Sequence, residues 1–182
     1  MSVTAAKKRS AAADAADPAA LPANLAEEIG KRDGFAMAEE EAHLNILRTA
    51  AGIEEPFERL FRDHGLSPPL YNVLRIVRGM TTERGSEGVP AGEIGPQMIT
   101  PSPDVTRLVD RVEKLGLVTR RRSEADRRVV LVKLTPKGAR LLKKLDPRMH
   151  QLLRESLAHL SRAELRTINE LMHKTRHGPL AE

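Results

Sequence analysis

Residues 103–138 of this 182-residue chain read PDVTRLVDRVEKLGLVTRRRSEADRRVVLVKLTPKG, and this stretch decides the fold. Its first third predicts a helix from Pro103 to Leu115, with Ser102 as the N-cap and Gly116 as the C-cap. The apolar side chains that recur at helical spacing are Val105, Leu108, Val109, Val112 and Leu115. One face of this helix is therefore predicted to be buried.

Two short β-strands are predicted after this helix. Val118 to Arg122 and Val129 to Leu134 read as strands, and a turn at Glu124 to Asp126 joins them. A short helix from Ala91 to Met98 precedes the helix at 103–115, and two helices joined so tightly cross at a steep angle. The pattern therefore predicts a helix-turn-helix followed by a β-hairpin wing.

The rest of the chain is predicted to be helical, so the fold class is mainly α with a small β-hairpin wing. We divide the chain into a flexible Ala-rich tail at 1–33, an N-terminal helix region at 34–66, a winged helix-turn-helix domain at 67–135 and C-terminal helices at 136–182. A basic arm in the tail that contacts DNA is the alternative to a flexible tail.

Several helix breakers predict local interruptions. Gly52 and Pro56 predict a kink or two separate helices, and Gly65 predicts a helix end. The stretch MTTERGSEG from Met80 to Gly88 predicts a polar loop, and Pro147 predicts a bend in a long C-terminal helix.

The positive charge is concentrated near the wing. The chain has 30 Lys and Arg against 25 Asp and Glu, a formal net charge of +5. Residues 120–140 hold 8 of the basic and 2 of the acidic residues, so this short stretch supplies the whole excess. Such a patch indicates a polyanionic partner. A non-specific architectural DNA-binding protein, the competing hypothesis, would spread its charge over the whole surface.

The second helix of a helix-turn-helix lies in the major groove of double-stranded DNA. The residues predicted to contact DNA there are Ser102, Asp104, Thr106, Arg107 and Arg111. Arg107 and Arg111 share one face, and an arginine can bond guanine at two atoms. Ser102 and the free amides of the helix start would hold a phosphate. The alternative is an amphipathic helix whose charges are merely solvated.

The wing is predicted to contact the DNA backbone and to insert an arginine into the minor groove. The wing residues predicted to contact DNA are Arg121, Arg122, Asp126, Arg127 and Arg128. Asp126 would pair with a nearby arginine and fix its guanidinium. The alternative is that Asp126 is a turn former that bonds its own backbone.

Three stretches resemble the MarR family of transcription regulators. RRRSEADRRVVLVKLTPKG resembles the family's wing, with Asp126-x-Arg128 followed by Leu134-Thr135-x-x-Gly138. MITPSPDVTRLVDRVEKLGLVTR is similar to its recognition helix, and HGLSPPLYNVLRIVRG to the preceding helix. The resemblance covers about residues 43–175. Gly95-Pro96, Pro56 and the Ala-rich tail depart from the family pattern.

This resemblance implies a homodimeric regulator, usually a repressor, that binds a pseudo-palindromic operator. Its N- and C-terminal helices would form the dimer interface, in keeping with the surplus of Leu and Met in these helices; packing within one chain is the alternative. A small phenolic or anionic effector is also implied, although activators and ligand-independent regulators share the fold. By position, His64 and Tyr71 could contact such an effector; the simpler interpretation is a surface His and a packed Tyr.

Other functional classes lack support in the sequence. The chain contains no cysteine, which excludes disulfides and thiolate zinc sites, and we expect no metal, cofactor or membrane span. His173 and His177 are four residues apart, but no supporting third ligand accompanies them. No catalytic motif is present, so we predict a cytoplasmic protein that is not an enzyme.

Overall fold

The computed structural model describes residues 24–84 and 88–178 and divides the chain into two compact units, residues 1–50 and 51–182. Residues 1–23, which hold most of the predicted tail, lie outside the described part. In the first unit, a short helix α1 spans Leu25–Glu28. The side chain of Asn24 caps this helix by accepting a hydrogen bond from the backbone N–H of Glu27.

The second helix, α2, spans Ala38–Arg62 without a break. Of the two outcomes predicted at Gly52 and Pro56, two separate helices are therefore wrong, whereas a kink stays a prediction. A proline removes one backbone hydrogen bond, but in a helix of this length the other hydrogen bonds remain. The last turns of α2 are also anchored by buried aromatic side chains. Gly65, with φ of +70°, ends the helical segment as predicted, and Leu66 N–H donates to the Phe61 carbonyl.

Helix α3 spans Pro68–Arg84 and runs through the core of the second unit. Its most deeply buried side chains are Leu70, Val73, Leu74 and Val77. Met80 is also buried and continues this stripe at helical spacing. The predicted loop at 80–88 is therefore wrong up to Arg84, because burial of Met80 extends the helix; residues 85–87 lie outside the described part.

The helix-turn-helix follows a two-residue strand, β1, at Val89–Pro90. Helix α4 spans only Ala91–Ile94, and a 3-10 turn spans Gly95–Gln97, so the predicted helix at 91–98 ends early, at Gly95 and Pro96. The second helix, α5, spans Val105–Lys114 and is called the recognition helix below. Gly116, with φ of +70°, ends it.

The wing is an antiparallel hairpin of β2, Val118–Arg122, and β3, Val130–Leu134. Val118 pairs with Leu134 and Arg122 with Val130. Strand β1 pairs with the other edge of β3, so the sheet order is β1-β3-β2. This third strand, which was not among the two predicted, attaches the wing to the helix-turn-helix.

Two helices complete the second unit. Helix α6 spans Pro136–Leu157, with Pro147 inside it, and helix α7 spans Arg162–Arg176. The structure confirms a mainly α fold with a winged helix-turn-helix. None of the helices in the described ranges is long and apolar enough to cross a membrane.

Candidate nucleic-acid interface

The recognition helix is capped by Asp104 and not by Ser102. The Asp104 carboxylate accepts a hydrogen bond of 3.2 Å from the backbone N–H of Arg107. A carboxylate is a strong acceptor for the free N–H groups of a helix start, and Asp104 directly precedes the first helical residue. The prediction of Ser102 as the cap is therefore wrong, and the Arg107 amide is occupied rather than free for a phosphate.

The exposed face of the recognition helix carries two arginines. Thr106, Arg107 and Arg111 are exposed, whereas Val109 and Val112 on the opposite face are buried in the core. The predicted burial of Leu115 is wrong, because this residue lies at the end of the helix and is 37% exposed. Arg107 pairs with Asp104 across 2.8 Å, from Nε to the carboxylate. Among the described residues, Arg111 has no ion pair. Arg111 is therefore the arginine of this helix that is free to reach a base edge.

Arg120 joins the wing to the recognition helix. Its guanidinium lies 2.6 Å from carboxylate oxygens of both Asp110 and Glu113, and its backbone N–H donates to Glu113 across 3.1 Å. From the sequence, Arg120 was predicted only as one of the basic residues of the wing. The signal that was missed is a pair of carboxylates three residues apart on a helix that leads directly into an arginine-rich strand. This clamp fixes the direction in which the wing leaves the helix.

The tip of the wing is held by backbone contacts of Asp126. Its carboxylate accepts a hydrogen bond of 2.9 Å from the backbone N–H of Arg128. Among the described residues it has no ion pair with an arginine, so this geometry favours the turn-forming alternative over the aiming of a guanidinium. Arg122 reaches across the hairpin and donates to the Arg127 carbonyl, and Arg121 lies 3.9 Å from Glu124.

Arg127 and Arg128 remain for an external partner. Both side chains are exposed, and within the described part of the chain neither takes part in an ion pair. Together with Arg111 they place three uncompensated guanidinium groups on the recognition helix and the adjoining wing. Such groups are suited to phosphates and to guanine.

The Leu134-Thr135-x-x-Gly138 segment locks the base of the wing to helix α6. The Thr135 hydroxyl lies 2.8 Å from the Gly116 carbonyl and 3.0 Å from the Gly138 backbone nitrogen, so this residue caps α6 and contacts the end of the recognition helix. Gly138 approaches Leu117 so closely that an added Cβ would overlap the Leu117 carbonyl oxygen. Only glycine permits this packing.

Tyr71 lines a cavity of about 490 Å³ beside the helix-turn-helix. Its ring stacks on Phe61 with 4.3 Å between centroids. Burial raises the pKa of the Tyr71 hydroxyl, and nearby Arg75 partly opposes this, so the hydroxyl stays protonated at neutral pH. The turn from Thr100 to Pro103, which leads into the recognition helix, forms another wall. Asn72 fastens this turn by accepting a hydrogen bond of 2.9 Å from the Ile99 N–H.

His64 does not share this cavity. It lines a separate cavity beside Leu66 and helix α6, and its Nδ1 lies 2.9 Å from the Leu60 carbonyl oxygen. Since a carbonyl only accepts, Nδ1 carries the proton in this contact. The structure thus separates the two residues that were predicted to contact one effector.

The two C-terminal histidines also have local partners. The rings of His173 and His177 stack at 4.3 Å, and His177 Nδ1 bonds to the His173 carbonyl. Across residues 24–84 and 88–178, no group of three His, Cys, Asp or Glu side chains is arranged to hold a metal ion.

The fold and the basic face define a winged helix-turn-helix protein, and comparison with known proteins identifies its family. The model of the MarR family matches residues 66–130. An uncharacterized HTH-type transcriptional regulator of Bacillus subtilis, YfiV, is 33% identical over 122 residues, which cover 67% of this chain and 71% of YfiV. The chain belongs to the MarR family of transcriptional regulators.

Solved structures agree with this assignment. A MarR transcription factor from Planctomyces limnophilus is 36% identical, with a TM-score of 0.57, over 76% of this chain and 98% of that protein. BpsR of Bordetella bronchiseptica, whose DNA binding is regulated by 6-hydroxynicotinic acid, has a TM-score of 0.65 at 22% identity. That match covers 80% of this chain and 99% of BpsR, and it shows a common fold.

Proposed function

We propose that the chain is a homodimeric repressor that binds a pseudo-palindromic operator in double-stranded DNA. The observation that carries this proposal is a group of exposed arginines on the recognition helix and the wing, Arg111, Arg127 and Arg128, whose side chains form no hydrogen bond or ion pair with another described residue. The recognition helix would lie in the major groove, where Arg111 reads guanine and Thr106 lies beside it. The wing would follow the backbone and place an arginine of its tip in the minor groove.

The remaining predicted residues take supporting roles in this proposal. Asp104 orients Arg107 on the surface that faces DNA, and Arg122 stiffens the hairpin behind the tip. Arg121 on β2 contributes positive charge along the backbone. Ser102 lies half-buried in the turn before the recognition helix. Its hydroxyl would contact a phosphate when this turn faces the DNA.

Selection of duplexes from a random pool, followed by footprinting, tests this function. We expect a two-fold related sequence in which the half-sites lie one helical turn apart on one face of the DNA. Protection of a single asymmetric half-site would contradict the dimeric mode of binding. Equal affinity for all duplexes at fixed salt would instead support a non-specific architectural protein.

The C-terminal helices supply the surface for the proposed dimer. Helix α7 has no buried residue, and Ile168 and Leu171 are 41% and 54% exposed on it. Leu153 on α6 is also exposed, at 47%. Apolar side chains repeated at helical spacing on a free face indicate that another surface covers them. A second copy of the chain is the occupant that a two-fold operator requires.

Charge introduced on this face tests the dimer. The double variant Ile168→Lys/Leu171→Lys should be monomeric by analytical ultracentrifugation, and its DNA affinity should fall because half-sites no longer bind together. Asn169→Lys is the matched control on the same exposed helix and should remain dimeric. A double variant that stays dimeric would place the interface elsewhere.

The Tyr71 cavity is our proposed effector site. Its volume suits a small aromatic compound, and the stacked Phe61 and Tyr71 rings offer an aromatic wall. Glu54 and Glu58 outnumber Arg75 among the charged lining residues, which favours a phenol over an anion. A ligand that displaces the wall formed by Thr100–Pro103 would move the start of the recognition helix. The regulation of BpsR by an aromatic acid supports such control on this fold.

Release of operator DNA by a panel of phenols and aromatic acids tests the proposed effector site. We expect phenols to release DNA at lower concentrations than the acids, and Glu58→Gln to narrow this difference while DNA binding itself is retained, because the variant removes a negative charge from the cavity. Lys143→Gln, an exposed residue that lines neither cavity, is the control. If no compound changes DNA affinity, the chain fits the ligand-independent regulators of the same fold.

A further inference from the structure

A second cavity lies at the C-terminal end of the recognition helix and shares no lining residue with the Tyr71 cavity. Its volume is about 360 Å³, which lies within the range of small-molecule sites. Four leucines form the apolar part of the lining, namely Leu66, Leu115, Leu117 and Leu141. Three basic side chains, Lys137, Arg140 and Lys144, complete it together with His64, and no Asp or Glu lines it.

Two of the three cations have no partner within the described residues. Lys137 donates a hydrogen bond of 2.7 Å to the Leu115 carbonyl. Arg140 and Lys144 are exposed and form no hydrogen bond or ion pair with another described residue. They lie four residues apart on α6 and therefore project from the same face of the helix. A pair of uncompensated cations beside a cavity attracts an anionic group.

The apolar part of the lining belongs to the core of the second unit. Leu66 and Leu117 are buried and Leu141 packs partly buried against the core cluster, whereas Leu115 is 37% exposed. Leu115 and Leu141 therefore supply the apolar surface of the cavity that is still in contact with water. An apolar group that covers these side chains would gain roughly 25 cal/mol for each Å² removed from water. An inorganic anion would leave this surface wet, so the lining matches a ligand with an apolar body and one negative end.

We propose that this cavity binds a small amphipathic carboxylate, with its apolar body on the leucines and its carboxylate between Arg140 and Lys144. The site differs in charge from the Tyr71 cavity, where Glu54 and Glu58 disfavour an anion. The proposed site is formed by helix α6, the end of the recognition helix and the residues around His64. It requires neither DNA binding nor an effector at Tyr71.

Titration of the full chain with octanoate, followed by calorimetry and by NMR of the backbone amides, tests this site. We expect saturable binding, with shifts that centre on residues 64–66, 115–117 and 137–144. The double variant Arg140→Gln/Lys144→Gln should bind octanoate at least about tenfold more weakly, because each neutral amide loses a charge-assisted contact. Both side chains are exposed, so the unfolding temperature should change little.

Two controls separate this site from adventitious binding. Arg75→Gln, in the Tyr71 cavity, should bind octanoate as the unaltered chain does. Octyltrimethylammonium, which has a similar chain and a positive end, should not bind in the cavity. The proposal is overturned if octanoate fails to bind below about 1 mM, if the double variant binds equally well, if the cation binds equally well, or if the shifts centre on Tyr71.

Discussion

Gly138 shows that a single residue can decide whether the wing packs onto helix α6. A Cβ at this position would overlap the Leu117 carbonyl oxygen, which is backbone and cannot rotate away. Gly138→Ala should therefore lower the free energy of unfolding by about 1–3 kcal/mol. Gly52→Ala is the matched control, because Gly52 is an exposed helical glycine with no atom near its added Cβ. That change should raise stability by about 0.5–1 kcal/mol in chemical denaturation.

Asp126 offers a second test at the scale of one residue. Its carboxylate accepts from the Arg128 N–H, and an asparagine could accept in the same way. Asp126→Asn should therefore retain DNA affinity, or raise it at low salt, because a negative charge near phosphate is removed. Asp126→Ala should weaken binding by about 0.5–1.5 kcal/mol, because the turn loses its hydrogen bond.

Fluorescence anisotropy with a labelled operator duplex at fixed salt measures both variants of Asp126. If both substitutions weaken DNA binding equally, the charge of the carboxylate matters more than its hydrogen bond. That result would favour the original prediction, in which Asp126 orients an arginine in the DNA complex.

At the scale of elements, the recognition helix and the wing are fixed to each other by Arg120. One guanidinium contacts two carboxylates of the helix while its backbone belongs to strand β2. The base of the hairpin is held independently by Thr135 and by pairing with β1. The two elements that we propose contact DNA therefore have a set orientation, and their separate contributions to binding can be measured.

Arg111 on the helix and Arg128 on the wing should affect DNA binding differently. Arg111→Ala should cost about 1–3 kcal/mol on the preferred operator and relax the preference at one base pair, because it removes a base contact. Arg128→Ala should weaken all sequences evenly and reduce the salt slope by about 0.9, because it removes one phosphate contact. Affinities for base-substituted duplexes over a range of salt concentrations distinguish them. The division of roles is contradicted if both variants lose base preference to the same extent.

At the scale of the whole molecule, Arg78 and Asp146 connect helix α3 of the winged domain with helix α6. The guanidinium donates two hydrogen bonds, of 2.7 and 2.8 Å, to the two carboxylate oxygens. Arg78 thereby holds the pKa of the Asp146 carboxyl below its ordinary value, although partial burial opposes this shift. The ionised carboxylate is therefore stabilised by folding.

This pair gives stability a defined dependence on pH. Because the folded-state pKa of Asp146 is lowered, the contribution of the pair is present above the ordinary value of 3.8 and is lost as the pH falls through the folded-state pKa. Asp146→Asn should cost about 1 kcal/mol near neutral pH, since both side chains are about one third exposed. Chemical denaturation of the unaltered chain and of Asp146→Asn from neutral to acid pH measures the difference in their free energies of unfolding. This difference should shrink on acidification. A difference that stays constant with pH would mean that packing, not charge, is lost in Asp146→Asn.

The features that depend on neighbouring residues could be predicted from the sequence alone. Periodic apolar residues predicted the recognition helix, Gly116 predicted its end, and the β-branched runs on either side of Glu124–Asp126 predicted the hairpin. The concentration of charge at 120–140 was visible in the sequence as well. These signals are local, because capping, turn formation and periodicity act within a few residues.

The features that depend on residues far apart in the chain could not be predicted from local patterns and became visible in the tertiary structure. Burial of Met80 against the core prolongs α3 beyond its local signals, and the approach of Leu117 requires glycine at 138. The separation of His64 from Tyr71 into two cavities follows from the packing of α2, α3 and α6 around them. Such contacts have no counterpart in local propensity, because the free energy that selects them comes from burial between distant segments.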